Sequence, residues 1–249
     1  MIFTNTLISI VTVSYNAVTT IEETILSVIN QTYQNLEYII IDGGSTDGTV
    51  GIIKKYQDKI AYWVSEPDKG IYDAMNKGID RATGEWINFM NSGDSFYDRN
   101  VVSDLFFEKI DEKIDVLYGD TILCTDKKKH LFKARKLISI EKSLPFCHQS
   151  CFINTKIMRE KYYDLKYKIC ADYDFFYKIH KEGKKFHYAS MMISVYEMGK
   201  GLSKNKYEWY RECIQIARRK NIVRLIIYQW YNLYCLTMKN ICSTLIKTT

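Results

Sequence analysis

Short β-rich apolar runs alternate with helical periodicities through the first hundred residues, a rhythm that means parallel strands joined by crossover helices. Leu7 to Val13 reads as a buried strand, Leu36 to Ile41 as a second, Ala61 to Val64 as a third and "WINFM" as a fourth. After the first strand, Ile21, Ile25, Val28 and Ile29 share one helical face, and Thr20 with Glu23 makes a capping box at its start. Thr46 or Asp47 can cap a helix carrying Val50, Ile52 and Ile53, and Ile71, Ala74, Met75, Gly78 and Ile79 repeat at helical spacing. The expected fold class is α/β: a Rossmann-type, open, mostly parallel sheet with flanking helices.

Beyond Asp98 the pattern loosens. Val101, Val102, Leu105 and Phe106 suggest a helix, Val116 to Tyr118 a strand, and "TDKKKH" the exposed turn of a hairpin. Two helical segments, about 207–221 and 222–247, close the chain as a helical C-terminal extension. With two prolines, no repeat and no low-complexity stretch, a flexible linker between independent domains is not expected. The expected organisation is one domain over 1–203, in two halves at 1–98 and 99–203, followed by the extension at 204–249.

In open α/β sheets ligands sit in the crevice beyond the carboxyl ends of the strands. Three such ends are polar here: "SYN" at Ser14 to Asn16, "DGGSTDG" at Asp42 to Gly48, and "NSGD" at Asn91 to Asp94. A mononucleotide needs carboxylate or amide acceptors for base and ribose, and glycines where backbone must approach it closely. Its diphosphate, if held by a divalent cation, needs hard oxygen ligands such as Asp94. Taken singly, each stretch also reads as an ordinary turn with helix caps. Their order along the chain is what favours a nucleotide cleft.

The stretches "SIVTVSYNAVTTIEETILSVINQTY", "EYIIIDGGSTDGT", "GIYDAMNKGIDRATGEWINFMNSGD" and "ADYDFF" resemble the family 2 glycosyltransferases of the GT-A fold, including bacterial enzymes that build surface polysaccharides. That resemblance implies transfer of a hexosyl or N-acetylhexosaminyl group from a nucleotide-diphosphate sugar, preferably a UDP-sugar, to a glycan or lipid-linked acceptor. It implies that Val13, Ser14, Asn16 and Asp42 line the nucleoside pocket and that Lys69, Asp73 and Asn76 lie near the donor. It further implies that Asp94 contacts Mn²⁺ or Mg²⁺, that Asp172 is the catalytic base, and that His148 and Gln149 lie on the acceptor side. Two departures stand out. The family often has a second acid after Asp42, where this chain has Gly43, and another before Asp94, where it has Gly93.

The chemistry suits those assignments. The leaving diphosphate gathers charge that a divalent ion can stabilise, and the acceptor hydroxyl needs a positioned base. Direct attack from the face opposite the diphosphate inverts the anomeric centre. For Asp172 the competing reading is a helix N-cap, with Asp174 a first-turn acid; for His148 it is a core histidine. Glu66 and Asp68 read as turn residues, although Asp68 and Lys69 can border the donor.

The net charge of +6 sits in the tail, where ten Lys/Arg face two acids from Lys200 onward. Trp209, Tyr210, Tyr228, Trp230, Tyr231 and Tyr234 interleave with Arg218, Arg219, Lys220 and Arg224. Such a pattern suits an anionic membrane surface, and equally packing onto the main domain or a second subunit. No nucleic-acid-binding motif accompanies it. The start of the chain has no basic leader and no uninterrupted 18-residue apolar run occurs, so the expected location is cytoplasmic, peripheral on the inner face of the membrane. Seven cysteines without a C-x-x-C pair read as reduced thiols, and Cys147 and Cys151 beside His148 as packed thiols, because two further zinc ligands are missing. A dehydrogenase would carry G-x-G-x-x-G where this chain has "SYNAVTT", and a nucleotidyltransferase a glycine-rich basic loop there. The remaining alternative is a catalytically silent subunit that binds nucleotide sugar or polysaccharide.

Overall fold

A computed structural model describes residues 5–125, 128–198 and 206–217. The first part runs β1 (Ile8–Ser14), α1 (Ile21–Ile29), β2 (Leu36–Asp42), α2 (Thr49–Lys55), β3 (Tyr62–Ser65), α3 (Ile71–Arg81), β4 (Trp86–Phe89). It continues through β5 (Ser95–Phe96), α4 (Val101–Leu105), β6 (Val116–Thr125), β7 (Lys128–Phe132), β8 (Cys151–Asn154), α5 (Thr155–Lys161), α6 (Ala171–Lys181), β9 (Phe186–Glu197) and α7 (Lys206–Ile216).

All these strands join one sheet in the order β3-β2-β1-β4-β8-β6-β9-β5, with β7 paired to β6. The β3-β2-β1-β4 half is wholly parallel. β8 then enters antiparallel beside β4 and β6, β9 runs parallel to β6, and short β5 closes the edge antiparallel to β9. The result is the expected α/β architecture with helices on both faces.

The burial pattern shows why the first half is so legible. Every residue of β1 is buried, as befits a parallel strand covered on both faces. Val11, Val13, Ile39 and Ile41 point into the layer under α3, α5 and α6. Ile8, Ile10, Tyr38 and Ile40 point into the opposite layer, with Ile21, Ile25 and Ile53 of α1 and α2. Each fully buried Ile or Val adds about 1.5–3 kcal/mol, so a one-residue slip of register would forfeit both layers at once.

Three local expectations need correction. Thr20 makes no side-chain cap to α1; its hydroxyl instead donates to the Ala17 carbonyl, because the chain entering the helix is held by the 46–49 turn. Asp172 is not an N-cap: Cys170 holds that position, and Asp172 and Asp174 are both first-turn acids. The strand at Val116 runs on to Thr125, kept extended by β7, β8 and β9 together. The region around 222–247, with Arg218, Arg219, Lys220 and the aromatic residues from Tyr228 on, lies outside the described residues. Among the described residues, no helix is long and apolar enough to cross a membrane.

Candidate active site

The turns after β1 and β2 are stitched to one another. Asn16, at φ 47°, accepts from the Thr46 amide and donates its own amide to Ser45 Oγ. Val18 N–H donates to Asp47 Oδ2, and Ala17 N–H to Thr49 Oγ1. Asp47 Oδ1 also accepts from Thr49, tying the start of α2. The parallel register that pairs Ser14 with Asp42 brings these two strand ends side by side.

Asp42 is the keystone of this corner. Its carboxylate accepts from the hydroxyls of Ser14 (2.8 Å), Ser45 (2.6 Å) and Ser65 (2.6 Å). The amides of Ser45 (2.8 Å) and Gly44 (3.2 Å) add two more donors. Burial pulls its pKa up, but hydrogen bonds led by Ser45 and Ser65 win and hold it below the usual carboxylate range. Five donors fill about four lone-pair sites, so a direct bond to a ligand requires one of them to move. A second carboxylate stands nearby: a Cβ on Gly43 would lie 2.5 Å from Asp68 Oδ2. Gly43 thus leaves room for an acid brought in from the end of β3, next to the exposed ring of Tyr15.

The turn after β4 behaves differently. Asp94 is 5 % exposed and accepts from Gln149 Nε2 at 2.7 Å and, more weakly, from the Glu197 amide at 3.3 Å. Burial pushes its carboxyl up to about 7, against the pull of the Gln149 bond. Val13 closes this corner, its carbonyl accepting from Ser92 N–H.

His148 lies beside Gln149 in the turn before β8, and joins a chain of side chains. Asn91 Nδ2 lies 3.1 Å from His148 Nε2, and His148 Nδ1 lies 3.2 Å from Asp172 Oδ2. With the amide nitrogen facing it, Nε2 accepts, which leaves Nδ1–H to donate to Asp172. Tyr72 Oη donates towards Asp172 Oδ1 at 3.0 Å and the Ile169 carbonyl at 2.7 Å. Both side chains of the His148–Asp172 pair keep a small opening, 17 % and 15 % exposed. The acid held by these two donors sits at the start of α6, where the helix dipole favours negative charge.

The other expected donor residues separate into two kinds. Asp73 Oδ2 accepts from the Lys69 amide at the start of α3, and the Lys69 side chain is exposed. Asn76 spends both ends of its amide on the Tyr163 backbone, so it clamps α3 to the segment after α5. Cys147 and Cys151 are free thiols, with burial raising Cys147 to about 12, and no group of three potential metal ligands occurs among the described residues.

Four participants escaped the reading of the sequence. Tyr72 and Asn91 lie within recognised stretches but carry no local sign that they reach Asp172 and His148. Glu197 ends β9 with no motif around it. Glu212 of α7, 2 % exposed, accepts from the amides of Lys168, Ile169 and Cys170, and so fixes the loop that leads into Asp172. The available clue was a glutamate at a helical position in a tail with only two acids.

Asp94 suits a divalent cation: it supplies hard oxygens, and among the described residues it is buried without a cationic partner while the same turn holds Asn91 Oδ1 buried with no hydrogen-bond partner. A Cβ at Gly93 would stand in ordinary van der Waals contact with Glu197 Oε2 at 3.8 Å and with Thr20 at 3.9 Å.

A mostly parallel sheet of this order, with the polar turns after β1, β2 and β4 at its carboxyl edge, places a ligand crevice there. The chain belongs to glycosyl transferase family 2, whose model matches residues 9–182. It is 34% identical over 177 residues to an uncharacterized glycosyltransferase of Mycobacterium tuberculosis, covering 68% of this chain and 66% of that relative. It is 30% identical over 181 residues to a PGL/p-HBAD biosynthesis glycosyltransferase of Mycobacterium bovis, covering 67% of each. The matched part thus spans about two thirds of these relatives' length. Among solved structures, S. aureus TarS 1-349 in complex with UDP-GlcNAc superposes with a TM-score of 0.68 at 20% identity, over 85% of this chain and 65% of that one. A mannosyltransferase from Pyrobaculum calidifontis in complex with GDP-Man and Mn²⁺ gives 0.66 at 17%, over 84% and 62%. At such identities the two structures establish the shared fold.

Proposed function

We propose that this glycosyltransferase is metal-dependent and inverting, and moves a hexosyl or N-acetylhexosaminyl group from a UDP-sugar to a glycan or lipid-linked acceptor in surface polysaccharide synthesis. One observation carries the reading: consecutive residues serve the two halves of the reaction, Gln149 bonding Asp94 and His148 bonding Asp172. The preference for UDP rests on the UDP-GlcNAc held by TarS, and the acceptor class on the biosynthetic role named for the mycobacterial relative.

In this mechanism the corner of Val13, Ser14, Asn16 and Asp42 shapes the nucleoside pocket, with Asp42 acting through the turn it holds and Asp68 offering the accessible carboxylate. Lys69 and Asp73 border the donor from the start of α3. Asp94 would hold Mn²⁺ or Mg²⁺, and a bound cation supplies Lewis-acid stabilisation of the departing diphosphate. Asp172 takes the proton from the acceptor hydroxyl as that oxygen bonds to the anomeric carbon and the bond to the diphosphate breaks. His148 and Tyr72 keep the carboxylate aimed, so that little reorganisation is needed at the moment of attack. We further assign 1–203 to the transferase domain and 204–249 to a basic, aromatic extension that brings the enzyme to the anionic inner face of the membrane.

The test is calorimetric titration with UDP, GDP and dTDP, with and without Mn²⁺, on the wild type, Asp94→Ala and Asp172→Asn. Manganese-dependent UDP binding lost in Asp94→Ala, and turnover reduced about 10²–10⁴-fold with donor binding intact in Asp172→Asn, are the expected results. No nucleotide binding by folded protein would sink the donor site. Binding without any transferase activity in the wild type would leave the silent subunit in its place.

A further inference from the structure

We infer that Glu197 supplies a second carboxylate to the divalent cation beside Asp94, delivered from the end of β9 because the turn after β4 cannot supply it locally. The inference rests on the metal-dependent reading above.

The strand register makes the juxtaposition. β5 and β9 pair antiparallel with Ser95 opposite Val195 and Phe96 opposite Ser194. Continuing that register past the end of β5 sets Tyr196 opposite Asp94 and Glu197 opposite Gly93. The contacts agree: the Glu197 amide donates to Asp94 Oδ1 at 3.3 Å, and Glu197 Oε2 is the atom nearest to where a Cβ on Gly93 would stand, at 3.8 Å. An aspartate at 93 would place its carboxylate one bond beyond that Cβ. Glu197 therefore brings its oxygens to the same neighbourhood by another route.

The backbone explains why the acid is not at 93 itself. Gly93 has φ +98°, a region that residues with a Cβ reach only at a cost of about 1–3 kcal/mol. The turn needs this conformation to bring the Asp94 amide back onto the Asn91 carbonyl at 2.9 Å while the Gly93 amide donates to Thr24 Oγ1 at 3.0 Å. Glycine at 93 thus fixes the direction of Asp94 and gives up a ligand, and the long, half-buried Glu197 side chain replaces it. An ion of this kind is commonly held by one or two carboxylates together with substrate phosphate oxygens, so Asp94 and Glu197 would make a fitting pair.

The experiment is a titration of Mn²⁺ into the protein–UDP complex for wild type, Glu197→Gln and Glu197→Asp, beside titrations of UDP without metal. Glu197→Gln should weaken Mn²⁺ binding at least about tenfold, a loss typical of altered metal surroundings, and Glu197→Asp should recover part of it. Metal-free UDP binding should stay equal or tighten in Glu197→Gln, because a carboxylate facing a diphosphate is repulsive. Weaker metal-free UDP binding in that variant would mark a structural role and overturn the inference. Mn²⁺ binding indistinguishable from wild type would also overturn it, while leaving the transferase reading intact. A wild-type complex that binds UDP but no Mn²⁺ would remove both the metal dependence and this role for Glu197.

Discussion

Asp42 and Asp94 are both buried acids at the carboxyl edge of the same sheet, yet the turns around them are built on opposite plans. The turn after β2 surrounds its acid with five donors and holds it ionised, below the usual carboxylate range. The turn after β4 gives its acid one side-chain donor and a long amide contact, and burial lifts it to about 7. A carboxylate that the protein satisfies completely is an architectural part. One left short of partners in a dry place keeps its capacity for something else, and in the proposed mechanism that difference separates residues that shape the cleft from those that act in it.

The sharpest way to break this contrast is Asp42→Ala. It strands three hydroxyls and two amides and should cost about 3–5 kcal/mol of stability, read by denaturant unfolding; a loss below about 1 kcal/mol would show that the turn is not built on this acid. The sign with pH follows from the depressed folded-state pKa. Asp42 contributes stability above its unfolded pKa and loses it as pH falls through the lower folded value, so Asp42→Asn should flatten the acid limb of a stability–pH curve. Asp94→Asn should do the reverse. A folded-state pKa raised to about 7 penalises the native state once pH exceeds the unfolded value near 4, most fully above 7. With metal absent, the variant should therefore be more stable than wild type at pH 8 by about 1–3 kcal/mol after discounting, while failing to bind Mn²⁺. Equal or lower stability would mean that Asp94 is as well satisfied as Asp42. The smallest effect is expected from Ser65→Ala, which removes one of five donors and should cost about 0.5–1.5 kcal/mol with turnover unchanged; a large drop in turnover would move Ser65 out of the scaffold.

The two plans also differ in how far they could be read in advance. Around Asp42 the partners lie in adjacent strand ends whose parallel register follows from buried apolar runs, so "SYN" and "DGGSTDG" announced their own meeting. Around Asp94 and Asp172 the partners come from Tyr72, Asn91, His148, Gln149, Glu197 and Glu212. Asp94 and Asp172 were marked by likeness to a family, and His148 with them, but Tyr72 looks like any aromatic on an amphipathic helix. Asn76 shows the converse: its stretch suggested the donor, and both ends of its amide turn out to hold Tyr163.

What the sequence determined by itself is the set of properties that depend on neighbours a few residues away. These are the buried strands β1 to β4, the crossover helices, the glycine-rich turns and the family to which the chain belongs. What only the tertiary structure decided is which distant acids share a space: Glu197 opposite Gly93, Asp68 over Gly43, Glu212 beneath the loop to Asp172. Strand pairing across a mixed sheet leaves no periodic mark on either strand, because the hydrophobic effect that drives it specifies burial and not partner. The partner is chosen by register, and register exists only once the sheet has formed.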